Sequence, residues 1–363
     1  MATLVTIRQP DAEPFALAIE GNTFVDPADA DITAEMATEN LWALPGLVDA
    51  HAHLTMTSPQ DIRGITESEM AGNVPKTAWA HVERGVLLIL DKGGGTDLSL
   101  MSLDHDADLR PIVEVAGAMI HPAGGYMPGF GVEVEGDALV AHVRDVAATR
   151  GGWVKLVGDW PRKGQGPVNN YTFEQLTEAV EVVHAAGAKV AIHTMANSAS
   201  EAVAAGVDSI EHGPFLTSGD LGQLARRGGA WVPTIVNMLD VIDMLGADST
   251  GGRMFQKGLD QMRTNLPIAE ELGVTVLAGT DMAVPHGEVA IEASRLHEYG
   301  LSNSAAAKAA TTAGYDYTGR TDPFTPGSQA DVVFFASNPF DDVTVLERPE
   351  LVIHRGRTIG GDI

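Results

Sequence analysis

From Gly46 onward, short apolar runs alternate with longer, Ala-rich stretches of helical character. The runs are Leu47 to Ala52, Val86 to Leu90, Ile112 to Ala116, Trp153 to Val157, Val190 to His193, Asp208 to Glu211, Trp231 to Val236 and Val274 to Ala278. Brief, nearly continuous apolar runs suit strands buried on both faces. The stretches between them have readable ends. Phe173 to Ala186 has Thr172 placed to cap it, Gln175 three residues on, and Gly187 to stop it. Ser198 to Ala205 stops at Gly206 in the same way. Eight such strand–helix units predict an α/β chain folded as a (β/α)8 TIM barrel.

The two chain ends read differently. Leu4 to Ile7 and Phe15 to Ile19, with Gly21-Asn22 as a turn, predict a small antiparallel sheet. Ala330 to Phe335 and Leu351 to His354 again read as strands, expected to complete that same sheet. The expected division is a small β-sandwich domain from residues 1–44 plus 318–363, beside a catalytic barrel over 45–317.

Composition narrows the chemistry. With 44 % apolar and 20 % charged residues the chain is an ordinary packed protein. It has no cysteine, so disulfides, thiolate metal sites and cysteine nucleophiles are excluded. Any metal is held by His, Asp, Glu or a modified Lys. The net charge of −26 opposes nonspecific binding to nucleic acid. Met1 to Pro10 lacks the long apolar segment of a signal peptide, and runs such as Val86 to Leu90 are far too short to span a bilayer. The expectation is a cytoplasmic protein with a small-molecule substrate and no nucleic-acid or membrane partner.

Barrel enzymes keep their chemistry at the C-terminal strand ends. The first run ends in His51 and His53, two residues apart and so on one face of a strand. Lys155 lies in the fourth, His193 ends the fifth, His212 follows the sixth and Asp281 follows the eighth. Singly, each has a structural reading: a hydrogen-bonded strand-end His, a salt-bridged Lys, an Asp that caps the next helix. Six such groups at five strand ends point instead to a shared metal site.

On the segments Pro45 to His53, Lys155, His193, Ile210 to Gly213 and Ala278 to Asp281, the chain resembles the amidohydrolase superfamily. The tail segment Pro326 to Val333 with Asn338-Pro339 extends the likeness over nearly the whole chain. Ala205 to Gly213 and Ala310 to Gly314 look most like its imidazolonepropionase- and prolidase-like branch. The resemblance implies two divalent metal ions, usually zinc. His51, His53 and Asp281 would hold the more buried ion, and His193 and His212 the more exposed one. Lys155 would bridge them as a carbamate, formed with CO₂. A metal-activated hydroxide would then attack the substrate carbonyl, and Asp281 would carry the proton to the leaving amine.

The resemblance also narrows the reaction. Deaminases of the superfamily usually carry a Glu three residues after the fifth-strand His, where this chain has Ala196. Imidazolonepropionase is mononuclear and lacks the bridging Lys, so Lys155 points away from that activity. Hydrolysis of an amide C–N bond remains, in a dipeptide or N-acyl amino acid. The alternatives are a mononuclear hydrolase of a cyclic amide, or a lactonase or esterase on the same site. The intact ligand set argues against a non-enzymatic barrel. Relatives commonly associate, so a homo-oligomer is expected.

Specificity belongs to the loops above the strands. His121 and Tyr126 in the third loop are candidate substrate contacts, unless that loop packs on a partner subunit. Arg162 and Lys163 in the fourth are candidates for a substrate carboxylate in so acidic a protein, or else a solvated surface pair. His286, shortly after Asp281, is a third candidate. Relatives often have Gly-Gly-His where this chain has Gly124-Gly125-Tyr126.

Overall fold

In the computed structural model, which describes residues 1–196 and 198–360, the apolar runs form a parallel barrel. Its strands, among the described residues, are Leu47–Ala52, Val86–Asp91, Ile112–Val115 continued by Ile120–His121, Trp153–Val157, Lys189–Thr194, Ser209–His212, Ala230–Val232 and Thr275–Val276. The third strand is broken in the middle. Its first part pairs with the second strand, and Ile120 in its second part pairs with Leu156 of the fourth. The barrel closes where Ala50 N donates to Ala278 O at 2.8 Å and Asp281 N donates to His51 O at 2.8 Å. That closure sets the first and eighth strand ends, which carry His51, His53 and Asp281, side by side.

The helix Phe173–Ala185 begins at the expected capping box: Thr172 N donates to Gln175 Oε1 and Gln175 N to Thr172 Oγ1. Ala199–Ala205 ends at Gly206, which has φ 94. A further helix, Thr312–Tyr317, precedes the C-terminal strands.

Three expectations are corrected. The seventh apolar run, Trp231 to Val236, is strand only as far as Val232, and a helix begins at Ile235. Thr234 between them has φ 50. The buried carboxylate of Glu292 accepts hydrogen bonds from Ile235 N and Val236 N, each at 2.9 Å, and so satisfies the first donors of that helix. The N-terminal sheet is mixed rather than antiparallel, because Ile32–Glu35 pairs parallel to Ala2–Ile7. Nor do the C-terminal strands complete that sheet. Val332–Phe335 and Leu351–His354 join Trp42–Leu44 and Arg357–Ile359 in a second four-stranded sheet. The apolar faces of the two sheets share one core, with Val5, Ile7, Leu17 and Phe24 against Val332, Phe334 and Ile353. The result is a small β-sandwich built from both chain ends. No described helix is long and apolar enough to cross a membrane.

Candidate metal centre

The six strand-end groups come together. His53 Nε2 lies 2.9 Å from Asp281 Oδ1, His51 Nε2 lies 3.5 Å from the same oxygen, and His212 Nε2 lies 3.8 Å from Asp281 Oδ2. His193 Nδ1 is 3.0 Å from His212 Nε2. One donor atom each from His51, His212 and Asp281 fall within 4.8 Å of one another. Lys155 is 1 % exposed, and its Nζ has no hydrogen-bond partner among the described residues.

Residues away from the cluster hold it in place. Asp49 Oδ1 accepts from His51 N and Thr280 N, and Asp49 Oδ2 accepts from Thr280 Oγ1 at 2.6 Å. One carboxylate thus ties the first strand to the loop that bears Asp281. Asp159 accepts from Met195 N, Ala196 N and both the N–H and hydroxyl of Ser198, and so shapes the loop after His193. His212, Thr234, Asp281 and Met282 all have left-handed backbones, with φ of 64, 50, 47 and 61. Such conformations cost roughly 1–3 kcal/mol each in non-glycine residues. They aim the His212 and Asp281 side chains at their neighbours across the barrel mouth.

Gly279 permits the close approach. A Cβ there would lie 2.6 Å from His51 Cβ and 2.6 Å from Val232 Cγ1. Gly279→Ala is therefore expected to push the eighth strand off His51, destabilising the fold by about 1–3 kcal/mol and lowering bound metal. Elemental analysis and thermal unfolding check this. A variant with full metal content and an unchanged Tm would contradict it.

The hydrogen bonds decide which nitrogens are free. His53 Nδ1 is 2.6 Å from Gly93 O, an acceptor only, so Nδ1 carries the proton and Nε2 is left with its lone pair. Thr234 Oγ1 donates its one proton to Pro233 O, so it accepts from His212 Nδ1, and His212 Nε2 is likewise bare. His51 Nδ1 is 2.7 Å from Glu211 Oε2, though off hydrogen-bond alignment, and its Nε2 turns to Asp281. Lone pairs on Nε2 of His53 and His212 therefore face a carboxylate and another imidazole at short range. Between His53 Nε2 and the Asp281 carboxylate a proton or a metal ion must lie, whereas His212 Nε2 can accept from a His193 protonated on Nδ1. His193 Nε2 and Lys155 Nζ are further buried polar atoms without partners among the described residues. Imidazole nitrogens with a carboxylate are a donor set suited to zinc or a similar divalent ion.

The charges agree. Burial lowers the pKa of His193 to about 4, with Lys155 adding to it, and pushes His212 well below its ordinary value, aided by His193. Both remain neutral lone-pair donors at pH 7. Burial would likewise lower His53, but its contact with Asp281 outweighs that and raises it. Burial alone would raise Asp281, yet His51, His53 and His212 hold it far below the usual carboxylate range. The Lys155 amine falls to about 8, chiefly through burial, opposed by Glu211 and reinforced by Lys92.

The candidate substrate residues divide. The Tyr126 ring sits at the cluster, 5.6 Å from the His193 ring and 4.5 Å from that of Trp160, centroid to centroid. Burial, with Asp281, pushes its phenol upward, so it stays protonated. His121 does not join the cluster. It is buried, with Nδ1 3.0 Å from Pro122 O and Nε2 2.8 Å from Phe130 O, so its ring braces its own loop. His286 lies aside too, 2.7 Å from Met56 O and packed against His81. Arg162 is half-buried on the hairpin Asp159–Arg162/Gly166–Asn169, near which Asn170 binds Gly125 O and Val157 O. Arg162 donates only a 3.3 Å contact to Asn170, and its buried Nε has no partner among the described residues. Lys163 is exposed at the hairpin tip.

Several supporting residues had escaped the reading of the sequence: Asp49, Lys92, Asp159, Glu211 and Thr234. Two had a usable signal. Lys92 ends an apolar strand just as Lys155 interrupts one, and Glu211 directly precedes His212.

A model of the amidohydrolase family matches residues 42–359. The chain belongs to the amidohydrolase family. It is accordingly a hydrolase, of a family that generally uses divalent metals. An uncharacterized protein of Mycobacterium bovis is 33 % identical over 356 residues, covering 94 % of this chain and 91 % of its own, and Mycobacterium tuberculosis has a counterpart with the same figures. Among solved structures, a Xaa-Pro dipeptidase with bound methionine aligns with a TM-score of 0.83 at 22 % identity, covering 99 % of this chain and 100 % of that one. A prolidase complexed with N-methylphosphonate-L-proline aligns at 0.80 and 21 %, covering 99 % of each. At these identities the two structures establish the barrel-and-sandwich fold of this amidohydrolase.

Proposed function

We propose that the chain is a binuclear metal-dependent amidohydrolase that cleaves the C–N bond of a dipeptide or an N-acyl amino acid. The observation that carries this reading is the convergence of His51, His53, His193, His212 and Asp281, with the buried Lys155, whose Nζ has no hydrogen-bond partner among the described residues, close enough for its charge to act on His51 and His193. His51, His53 and Asp281 would hold one ion and His193 and His212 the other, a donor set suited to zinc. Reaction of the Lys155 amine with CO₂ forms an N–C bond, releases a proton and yields a carbamate. That anion suits a position between two cations, where an ammonium does not. When bound, the metals supply a water that ionises near neutral pH and a charge that polarises the carbonyl.

The chain's own residues do the rest. Asp281, ionised and at the cluster's edge, accepts the proton of the attacking water on a carboxylate oxygen and delivers it to the leaving amine. Tyr126 and Trp160 wall the side above His193 and exclude water from it. Arg162, a guanidinium without a carboxylate partner among the described residues, is placed to receive the free carboxylate of the substrate. The barrel residues 45–317 carry all these groups, and residues 1–44 with 318–363 form the accessory unit. Gly361, Asp362 and Ile363 of that unit lie outside the described residues.

Arg162→Met is expected to raise KM about 10- to 100-fold for substrates with a free carboxylate, with kcat little changed. Amidated versions of those substrates should show no such difference. An equal loss on both series would remove Arg162 from this role. The function itself is tested by screening dipeptides, N-acyl amino acids and lactones. Amide hydrolysis that a chelator abolishes and zinc restores is expected. Turnover of lactones alone, or turnover indifferent to chelation, would contradict the reading.

A further inference from the structure

Beneath the cluster lies a buried ion pair that the mechanism above does not use. Lys92, at the end of the second strand, is 1 % exposed and Glu211, on the sixth, is 0 % exposed. Lys92 Nζ is 3.0 Å from Glu211 Oε1 and 3.3 Å from Ser209 Oγ. Ser209 Oγ donates to the same Glu211 oxygen at 2.6 Å. The ammonium also sits 4.7 Å from the centre of the Trp153 ring. The other Glu211 oxygen, Oε2, lies 2.7 Å from His51 Nδ1.

Such a pair is costly where it stands. Barrel interiors are usually filled by aliphatic layers. Taking two charges out of water consumes most of what their attraction returns, and well-packed apolar substitutes are often neutral or stabilising. Stability therefore does not account for Lys92 and Glu211. Their geometry does. Glu211 uses one oxygen on Lys92 and Ser209 and holds the other against His51.

We propose that Lys92 and Glu211 are positioning residues for His51, a charged strut that keeps the proton on His51 Nδ1 and offers Nε2 to the metal. This rests on His51 being a metal ligand, as in the function proposed above. Lys92 anchors the carboxylate, and the carboxylate orients the ring and strengthens Nε2 as a donor. The strut links the second, sixth and first strands, so it also fixes His51 relative to His212, the neighbour of Glu211.

Glu211→Gln keeps the shape and removes the charge. It is expected to weaken metal binding by 10- to 100-fold, the scale for partners of a metal-bound imidazole. Each single variant strands the other buried charge, the Lys92 ammonium in Glu211→Gln and the Glu211 carboxylate in Lys92→Met, and so risks the fold. The double variant Lys92→Met/Glu211→Gln removes both charges at nearly constant volume, and should fold with a metal-free Tm at or above that of the wild type. Its metal affinity, measured by chelator competition on the folded protein, should fall as in Glu211→Gln. The visible spectrum of the cobalt-substituted protein should change with it, because the ligand field at His51 changes. A purely structural pair would instead lower the metal-free Tm and leave affinity and spectrum alone, and that result would overturn the proposal. Wild-type protein that binds no metal would overturn the proposed function as well. Wild-type binding with unchanged affinity in the double variant would overturn the strut alone.

Discussion

Asp281→Asn is expected to lower kcat by about 10²- to 10⁴-fold while the metals stay bound. The substitution is unusually clean at this position. Asn matches Asp in size and keeps one oxygen to face His51 and His53. It also tolerates the left-handed backbone that Asp281 adopts at φ 47, where most residues would be strained. What it loses is the ability to take a proton. Asp281 is held ionised against burial by His51, His53 and His212, so at neutral pH it is ready to accept one. Metal content by elemental analysis and kcat at saturating substrate separate the two roles. Normal turnover would show that Asp281 moves no proton. Loss of metal together with activity would show that its role is ligation alone.

Lys155→Ala should cost about as much by a different route. The side chain is buried without a hydrogen-bond partner among the described residues, so an ordinary ammonium there has only the nearby charges of Glu211, Asp281 and Asp91 to set against its desolvation. As a carbamate it would supply an anionic oxygen between the two metal positions. Removing it should lower activity by about 10³-fold, since the polarising charge it helps to hold is worth several kcal/mol. The variant should nevertheless fold at least as stably as metal-free wild type, because a buried amine has gone. Short carboxylates such as acetate or propionate, small enough for the vacated space, should restore part of the activity. Full activity in Lys155→Ala would contradict the account, as would a loss that no carboxylate repairs and that leaves metal content untouched.

The barrel was legible because strands buried on both faces leave continuous apolar runs. The six residues of the candidate site were legible because they interrupt or end those runs. His51, His53, Lys155, His193, His212 and Asp281 all needed only the register of their own strand. What stayed hidden depends on distant partners. Trp231 to Val236 is apolar except at Pro233-Thr234, and the helix that starts at Ile235 is held by the carboxylate of Glu292 from a later helix. The apolar run Val332–Phe335 reads as a strand, but the run does not say which sheet it joins. His121 lies in a loop over the site, yet its ring turns to Pro122 and Phe130, a choice made by the local backbone. Lys92 and Glu211 are far apart in the chain and acquire meaning only when the barrel closes. Asp49 is similar: two residues before His51, it looks like part of a strand until Thr280 is seen bound to it.

A two-metal site bridged by a modified Lys155 underlies each of these outcomes. A crystal structure of protein purified without chelator, with anomalous scattering recorded at the zinc edge, tests it most directly. About two metal ions per chain are expected, one beside His51, His53 and Asp281 and one beside His193 and His212. Density for one added CO₂ on Lys155 Nζ touching both is expected with them. A single ion beside an unmodified Lys155, or no ion at all, would contradict the two-metal site.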